Sequence, residues 1–456
     1  MRYWLLSGLC VLGYLSVAAA EVQEFKLDNG LKLLVKPDHR APIVVNQVWY
    51  KIGSSYESEG KTGLSHMLEH MMFKGTATHP PGEFSRIMAA NGASENAFTS
   101  TDYTAYFQTI AKNRLSVSFE LEADRMRHLD LQAPEFAKER NVVTEERRSR
   151  TEDEPDSVLY EAFNATAYQI SPYRRPVIGW MNDIKNFQLA DLQAWYQRWY
   201  APNNAIVVVA GDVEPQEVFE LAKKYFGDLK PSDITPPAAL EEPPQLGNKR
   251  LVVKRPAKVA SLLMGYKVPN LITLTGQQTE VAYALDLLQS ILSGGDSARL
   301  SKNLVRGQEV ASHLSASYGL YDRLDNLFVI SGSPTEKHSI AELETAITSE
   351  IKALQETPVD PAELERVKTQ VKASYVYELD SLFYQAMKIG SVETVGISWK
   401  TIEAYLDKIS QVTPAQIQAV AQKYLVEDNL TVAVLEPLPL EAGKTTSNAG
   451  HGTHVR

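Results

Sequence analysis

Cysteine is nearly absent from this chain: Cys10 is the only one in 456 residues, and it lies in an apolar N-terminal run. That run, Trp4 to Val17, follows Arg2 and precedes Ala18, Ala19 and Ala20, the pattern of a secretory signal cut after residue 20. Leu9 rather than a small residue precedes Cys10, which argues against lipid attachment there. A mature chain without thiols excludes disulfides, cysteine nucleophiles and cysteine metal ligands. Any bound metal must therefore be held by His, Asp or Glu. Long apolar runs are also missing beyond the signal, so no membrane span is expected in the mature chain. Basic runs are missing too, and the net charge of −10 leaves no electropositive footprint for nucleic acid. With 44% hydrophobic and 22% charged residues, the remainder has the composition of an ordinary globular protein, too long for a single core.

Prolines 231, 236, 237, 243 and 244 mark residues 231–249 as a linker between two halves, 21–230 and 250–441. The halves share an internal repeat. LQAWYQRWYAPNNAIVVVAGDV from Leu192 matches IQAVAQKYLVEDNLTVAVLEPL from Ile417 at a constant offset of 225, pairing Gln193 with Gln418, Gln197 with Gln422 and Asn204 with Asn429. Each copy predicts an amphipathic helix, a polar turn and a β-branched strand. A period this long indicates a duplicated domain, not a solenoid. The first half opens with β-rich runs from Phe25 to Lys36 and Ile43 to Ile52. The tail, residues 442–456, lacks apolar periodicity and predicts disorder, and its His451 and His454 have no preorganised partners for a metal.

The most informative stretch is KTGLSHMLEHMMFKG from Lys61, which reads as a helix ended by Gly75. Leu64, Met67, Leu68, Met71 and Met72 fall on one apolar stripe, while His66, Glu69 and His70 project from the other side. Histidines at i and i+4 lie one turn apart, within reach of one zinc ion. Glu69, about 60° round from His66, is placed to take a proton from a water at the metal. The alternative is a solvated polar helix face. A catalytic zinc with an open position needs a third protein ligand. The candidate helix is PEFAKERNVVTEERRSR from Pro134, where Glu139, Val142, Val143 and Glu146 share a face that the valines predict to be buried. Glu146 is the expected third ligand and Glu139 a carboxylate supporting the ligands. Glu145 points about 100° away and is expected to face solvent with Arg147 to Arg150.

HMLEH, a glutamate 76 positions after His70, and the intervening NGASENAFTSTDYTAYF resemble the insulinase/pitrilysin family of inverted-motif zinc peptidases, specifically its mitochondrial processing peptidase-like branch. The resemblance covers nearly the whole mature chain. It implies an α+β fold of two homologous α/β-roll domains, the first bearing the metal and the second inactive, which together form half of a clam-like chamber. It implies one Zn2+ per chain on His66, His70 and Glu146, Glu69 as general base and Glu139 in support. It also implies that a peptide substrate adds to the strand near Asn96 and Ala97. One departure stands out: the family's Arg and Tyr of the inactive half, which contact the substrate carbonyl, align here with Val305 and Ser312. Arg306 with Tyr318 or Tyr321 replaces them only if the register slips. The expectation is a metal-bearing subunit of a two-subunit bacterial endopeptidase acting on unfolded or short peptides, exported to the periplasm, with a homologous partner that lacks HxxEH and carries the Arg/Tyr pair. The competing readings are a non-catalytic chamber or scaffold subunit and a metal-free binding module.

Overall fold

Valine-, isoleucine- and leucine-rich runs of the first half assemble into one six-stranded sheet. The computed structural model describes residues 21–237, 240–274 and 278–440. The strands of this sheet are β1 (Gln23–Lys26), β2 (Lys32–Pro37), β3 (Ile43–Tyr50), β4 (Ser94–Thr99), β5 (Thr104–Ala111) and β6 (Ala205–Gly211), in spatial order β1-β2-β6-β3-β5-β4. Only β2 and β6 run parallel. The run from Phe25 to Lys36 is thus a hairpin and not one strand, because Gly30 at φ +93° turns the chain between β1 and β2. The expected signal segment, the C-terminal tail and its His451 and His454 lie outside the described residues.

The second half repeats this sheet without its first strand. β7 (Lys249–Pro256), β8 (Ser261–Val268), β9 (Ala311–Ser317), β10 (Asn326–Pro334) and β11 (Leu430–Leu438) lie in the order β7-β11-β8-β10-β9, and the β7/β11 pair is again the parallel one. The helices of the first half are α1 (Leu64–Met71), α2 (Glu83–Ala90), α3 (Leu115–His128), α4 (Ala133–Arg147), α5 (Pro155–Ala167), α6 (Met181–Asn186), α7 (Leu189–Trp199) and α8 (Pro215–Phe226). Those of the second are α9 (Glu280–Ser293), α10 (Ile340–Glu356), α11 (Pro361–Glu378), α12 (Leu382–Thr394), α13 (Lys400–Gln411) and α14 (Pro414–Tyr424). The repeat read from sequence is α7-turn-β6 and α14-turn-β11. Even its side-chain bonds recur: Asn204 donates to Trp199 O at 3.0 Å, and Asn429 to Tyr424 O at 3.3 Å. Between Phe226 and Lys249, which opens β7, the described residues form no helix or strand, and this segment is fastened. Glu242 accepts the amides of Gln169, Ile170 and Ser171, and Gln245 donates to Leu430 O at 2.8 Å.

Alternation along the strands sends residues to both faces of each sheet. On one face Leu33, Val35, Val44, Val48 and Tyr50 pack against helices of their own half. On the other, Leu34, Val45, Trp49, Ile206 and Val208 meet Ala386, Ile389 and Val392 of α12, which belongs to the second half. The exchange is mutual: Leu159 and Phe163 of α5, from the first half, cover Leu263, Leu327, Ala433 and Leu435 of the second sheet. Size is traded as well. In the pairings of β3 with β6 and β8 with β11, Trp49 and Gly265 occupy equivalent positions. Trp49 lies against Gly390 of α12, and Gly265 against Phe163 of α5.

A Cβ at Gly390 would sit 2.2 Å from the ring of Trp49, which is fully buried. Gly390→Ala is expected to destabilise the chain by about 1–3 kcal/mol or more through overpacking. Combination with Trp49→Leu is expected to cost less than the two single changes added, a coupling that denaturant unfolding of the four proteins measures. Unchanged stability of Gly390→Ala would show that this contact is not close-packed.

Candidate metal centre

The first turn of α1 is fixed before any ligand is reached. Glu57, fully buried, accepts the amides of Gly63 and Ser65 at 2.6 and 2.7 Å, capping the helix start. Burial nevertheless pushes its acid up to about 8. Asp183 takes the amide and hydroxyl of Thr62 at 3.1 and 2.6 Å. Gly63, at φ +92°, has no room for a side chain, because a Cβ would meet Ile178 O at 2.4 Å. Beyond this clamp the predicted stripe holds: Leu64, Met67, Leu68, Met71 and Met72 are buried, and His66, Glu69 and His70 face the other way, half-buried. The helix itself ends at Met71, four residues before Gly75.

α4 brings the second set of groups. Pro134 lies in its first turn, and Glu139 and Val143 are buried against α1 and α6. Val142, expected inside, is 39% exposed, because it sits about 60° round from Glu139, at the margin of that face. Glu145 is solvent-facing and paired with Arg148 at 3.0 Å. Arg147, expected beside it, is buried, where it meets Glu161 at 2.8 Å and Gly179 O at 2.8 Å, tying the end of α4 to the segment that clamps α1.

Three donor atoms converge between the two helices. Glu146 Oε2 lies 3.2 Å from His70 Nε2 and 3.9 Å from His66 Nε2, and all three fall within 4.8 Å of one another. Tetrahedral zinc bonds of about 2.0–2.1 Å place neighbouring ligand atoms about 3.3 Å apart, so this set fits the ion. Among the described residues it is the only group of three or more His, Cys, Asp or Glu able to hold a metal. His70 Nδ1 lies 2.8 Å from Glu139 Oε1, and Glu139 Oε2 meets Lys74 at 2.7 Å. A carboxylate on Nδ1 fixes the tautomer that presents Nε2 to a metal. Burial disfavours the charged imidazole, but the bonds to Glu139 and Glu146 outweigh it and push His70 up to about 9. Burial likewise opposes ionisation of Glu146, yet His70, His66 and Arg150 hold its carboxylate at about 2.

Sequence reasoning missed two contacts here. Thr99, at the end of β4, donates to Glu69 Oε2 at 2.6 Å, while burial raises the Glu69 acid above the usual carboxylate range. Arg150 Nη1 lies 2.6 Å from Glu146 Oε1, leaving Oε2 directed at the histidines. The four-residue spacing from Glu146 to Arg150 was a readable signal; nothing local pointed to Thr99.

His66, Thr99, Thr101, Glu146 and Arg150 line a cavity of about 870 Å³ whose far wall includes Ser317, Tyr318 and Asn326 of the second half. Buried Asp102 joins the halves beside it, accepting from Ser55 Oγ at 2.7 Å, Arg323 Nε at 3.1 Å and the hydroxyl of Tyr173. Asn96 and Ala97 lie on β4, which has β5 on one side and forms the edge of the sheet. Neither residue lines the cavity. The Ala97 amide donates to Asn96 Oδ1 at 2.7 Å.

With this geometry, the chain belongs to the insulinase family of peptidases: residues 32–180 match the family model "Insulinase (Peptidase family M16)" and residues 186–371 match "Peptidase M16 inactive domain". It is 38% identical over 360 residues to the zinc protease PqqE of Helicobacter pylori, covering 78% of this chain and 79% of that one. It is 25% identical over 418 residues to the uncharacterized zinc protease YmxG of Bacillus subtilis, covering 91% and 98% of the two chains. The crystal structure of a protease from Helicobacter pylori superposes with a TM-score of 0.86 at 33% identity, spanning 91% of this chain and all of that one. These relatives support a peptidase role for the chain and point to zinc as its metal. No helix among the described residues is long and apolar enough to cross a membrane.

Glu146→Gln is expected to lower zinc occupancy, read by metal analysis after dialysis, whereas Glu145→Gln leaves it unchanged. Glu139→Gln is expected to weaken zinc binding by about 10–100-fold through loss of its hold on His70. Equal zinc retention by Glu146→Gln and the parent chain would move the third ligand elsewhere.

Proposed function

We propose that this chain is a zinc-dependent endopeptidase that hydrolyses unfolded or short peptides inside a chamber completed by a homologous second subunit. The observation that carries the reading is the convergence of His66, His70 and Glu146 beside Glu69, whose carboxylate is oriented by Thr99. Bound zinc supplies polarisation of the peptide carbonyl and acidification of water. Glu69, held on the same helix face and raised by burial, takes the proton of the attacking water and delivers it to the leaving amine nitrogen. Thr99 keeps the carboxylate aimed, and Glu139 keeps His70 in the ligating tautomer. The edge of β4 at Asn96 and Ala97 offers main-chain pairing to an extended peptide, which suits unfolded substrates.

The need for a partner rests on what the second half brings to the cavity. Ser312 is exposed on β9 and donates to Ser333 O at 3.2 Å, and Arg306 is turned away onto Asp296 O. Tyr318 does reach the cavity wall, but its hydroxyl is spent on Pro269 O at 2.7 Å. The arginines lining the cavity, Arg150, Arg174 and Arg175, all come from the first half. A subunit lacking HxxEH but carrying the Arg/Tyr pair supplies the missing donors to the substrate carbonyl. The N-terminal run of Arg2 to Ala20 supports export, with the periplasm as the site of action.

Glu69→Gln is expected to abolish peptide cleavage while keeping about one zinc per chain, because this residue moves a proton and does not bind the metal. Wild-type cleavage by that variant would remove Glu69 from the mechanism. The isolated mature chain is expected to be slower by about 10²–10³-fold than the one-to-one complex with its partner, the worth of a donor to the developing oxyanion. A peptide-cleavage titration with that subunit, at constant zinc occupancy, decides this. Full activity from the chain alone would reject the two-subunit reading.

A further inference from the structure

The second domain keeps the place of the metal centre and changes its chemistry. α9 packs on α14 as α1 packs on α7. The succession of buried and half-buried positions over residues 61–72 recurs unchanged over 281–292. This register sets Asp286, Gln289 and Ser290 where His66, Glu69 and His70 stand. On α11, matching Phe136 to Leu364 sets Val367, buried like Glu139, at the place of that residue, and sets Ser374, more exposed than Glu146, at the place of Glu146. The contacts follow. Gln289 Nε2 donates to Ala316 O at 2.9 Å near the end of β9, as Glu69 takes Thr99 at the end of β4. Asp286, Gln289, Ser290, Val367 and Ser374 all line one cavity of about 460 Å³, a volume in the range of small-molecule sites.

Neutral serine and glutamine in place of histidine and glutamate do not hold zinc, so the cavity needs a different occupant. We propose that it binds a small organic ammonium ion, with Asp286 as the counter-charge and the rings of Tyr375 and Tyr405 as the wall. The Asp286 carboxylate accepts from Tyr405 Oη at 2.6 Å, and among the described residues no Lys, Arg or His forms an ion pair with it. Burial, only partly offset by Tyr405, pushes its acid up to about 6, the response of a carboxylate lacking a cation. Tyr375 and Tyr405 stack with centroids 5.5 Å apart, and aromatic faces attract ammonium groups. The chain uses this attraction itself: Lys388 Nζ lies 3.9 Å from the Tyr375 centroid, its charge balanced by Glu378. Both Lys388 and Glu378 line the cavity, leaving the Asp286 charge uncompensated inside it. An anion would meet Asp286 and Glu378, and an uncharged apolar guest would strand a buried carboxylate.

The test uses the mature chain with its zinc, titrated calorimetrically with n-butylammonium, n-butanol and butyrate, so that size is held and charge is varied. Binding of n-butylammonium alone, or far more tightly than n-butanol, is expected. Asp286→Asn should weaken it roughly tenfold or more, the effect of losing a charge-assisted bond, and Tyr375→Leu should weaken it as well. Tyr375→Leu carries the test should Asp286→Asn fail to fold, with thermal unfolding run on both. Binding of n-butylammonium no tighter than of n-butanol, or unchanged in the folded variants, would overturn the proposal. Because no readout is peptide cleavage, the result stands apart from the assignment of the peptidase.

Discussion

The whole arrangement depends on an exchange of helices between the two halves. Each sheet has two apolar faces, and its own half supplies helices for only one. α12 of the second half covers Leu34, Trp49 and Val208, and α5 of the first half covers Leu263 and Leu435. Phe163 and Trp49 are both fully buried in these seams, and full burial of a large side chain is worth about 1.5–3 kcal/mol each. Neither half can bury its second sheet face alone. The consequence reaches the metal centre, because α5 begins just after the turn that follows Glu146 and Arg150. Docking of α5 on the second sheet therefore fixes the C-terminal end of α4, from which the third donor projects. The half that carries the candidate metal centre thus takes its precision partly from the other one.

A second constraint works at shorter range. The start of α1 and the end of α4 are referred to the same segment, residues 178–183. Asp183 holds Thr62, and Arg147 holds Gly179 O while pairing with Glu161 of α5. Arg147 therefore joins three elements, α4, α5 and the clamp on α1, and its burial is the structural reason that it leaves the solvent-facing charges around it. Preorganisation of this kind holds Glu146 Oε2 at 3.2 Å from His70 Nε2 and 3.9 Å from His66 Nε2.

What the sequence made legible was whatever is local. HxxEH on a helix with an apolar back and Glu146 on a second helix are statements about 3.6-residue periodicity, and the structure brings these groups together as that reasoning expects. Periodicity failed where a residue lies at the margin of a face, as with Val142, or where a third element changes what the face meets, as with Arg147. Thr99 was invisible because its role arises from the sheet placing the end of β4 beside α1, a juxtaposition that no spacing encodes. The duplication was likewise legible only in part. Its C-terminal segment retains shared residues such as Asn204 and Asn429, which make the same bond in both halves. Around the metal helix the shared quantity is burial, and burial is seen only once the chain is folded.

That difference says what was held constant when the two halves diverged. Packing positions kept their character: Met67, Leu68, Met71 and Met72 become Leu287, Leu288, Ile291 and Leu292, all buried. Positions facing the cavity differ in chemistry: aspartate, glutamine and serine stand in the second half where histidine and glutamate stand in the first. Where packing did change, it changed in compensating pairs, with Trp49 against Gly390 on one sheet and Gly265 against Phe163 on the other. A core tolerates such swaps when total volume is conserved across the contact. The fold therefore constrains volume and burial in both domains equally, while the chemistry of the cavity is set independently in each. One domain can carry the candidate metal ligands and the other lack them without either losing its place in the exchange that holds both together.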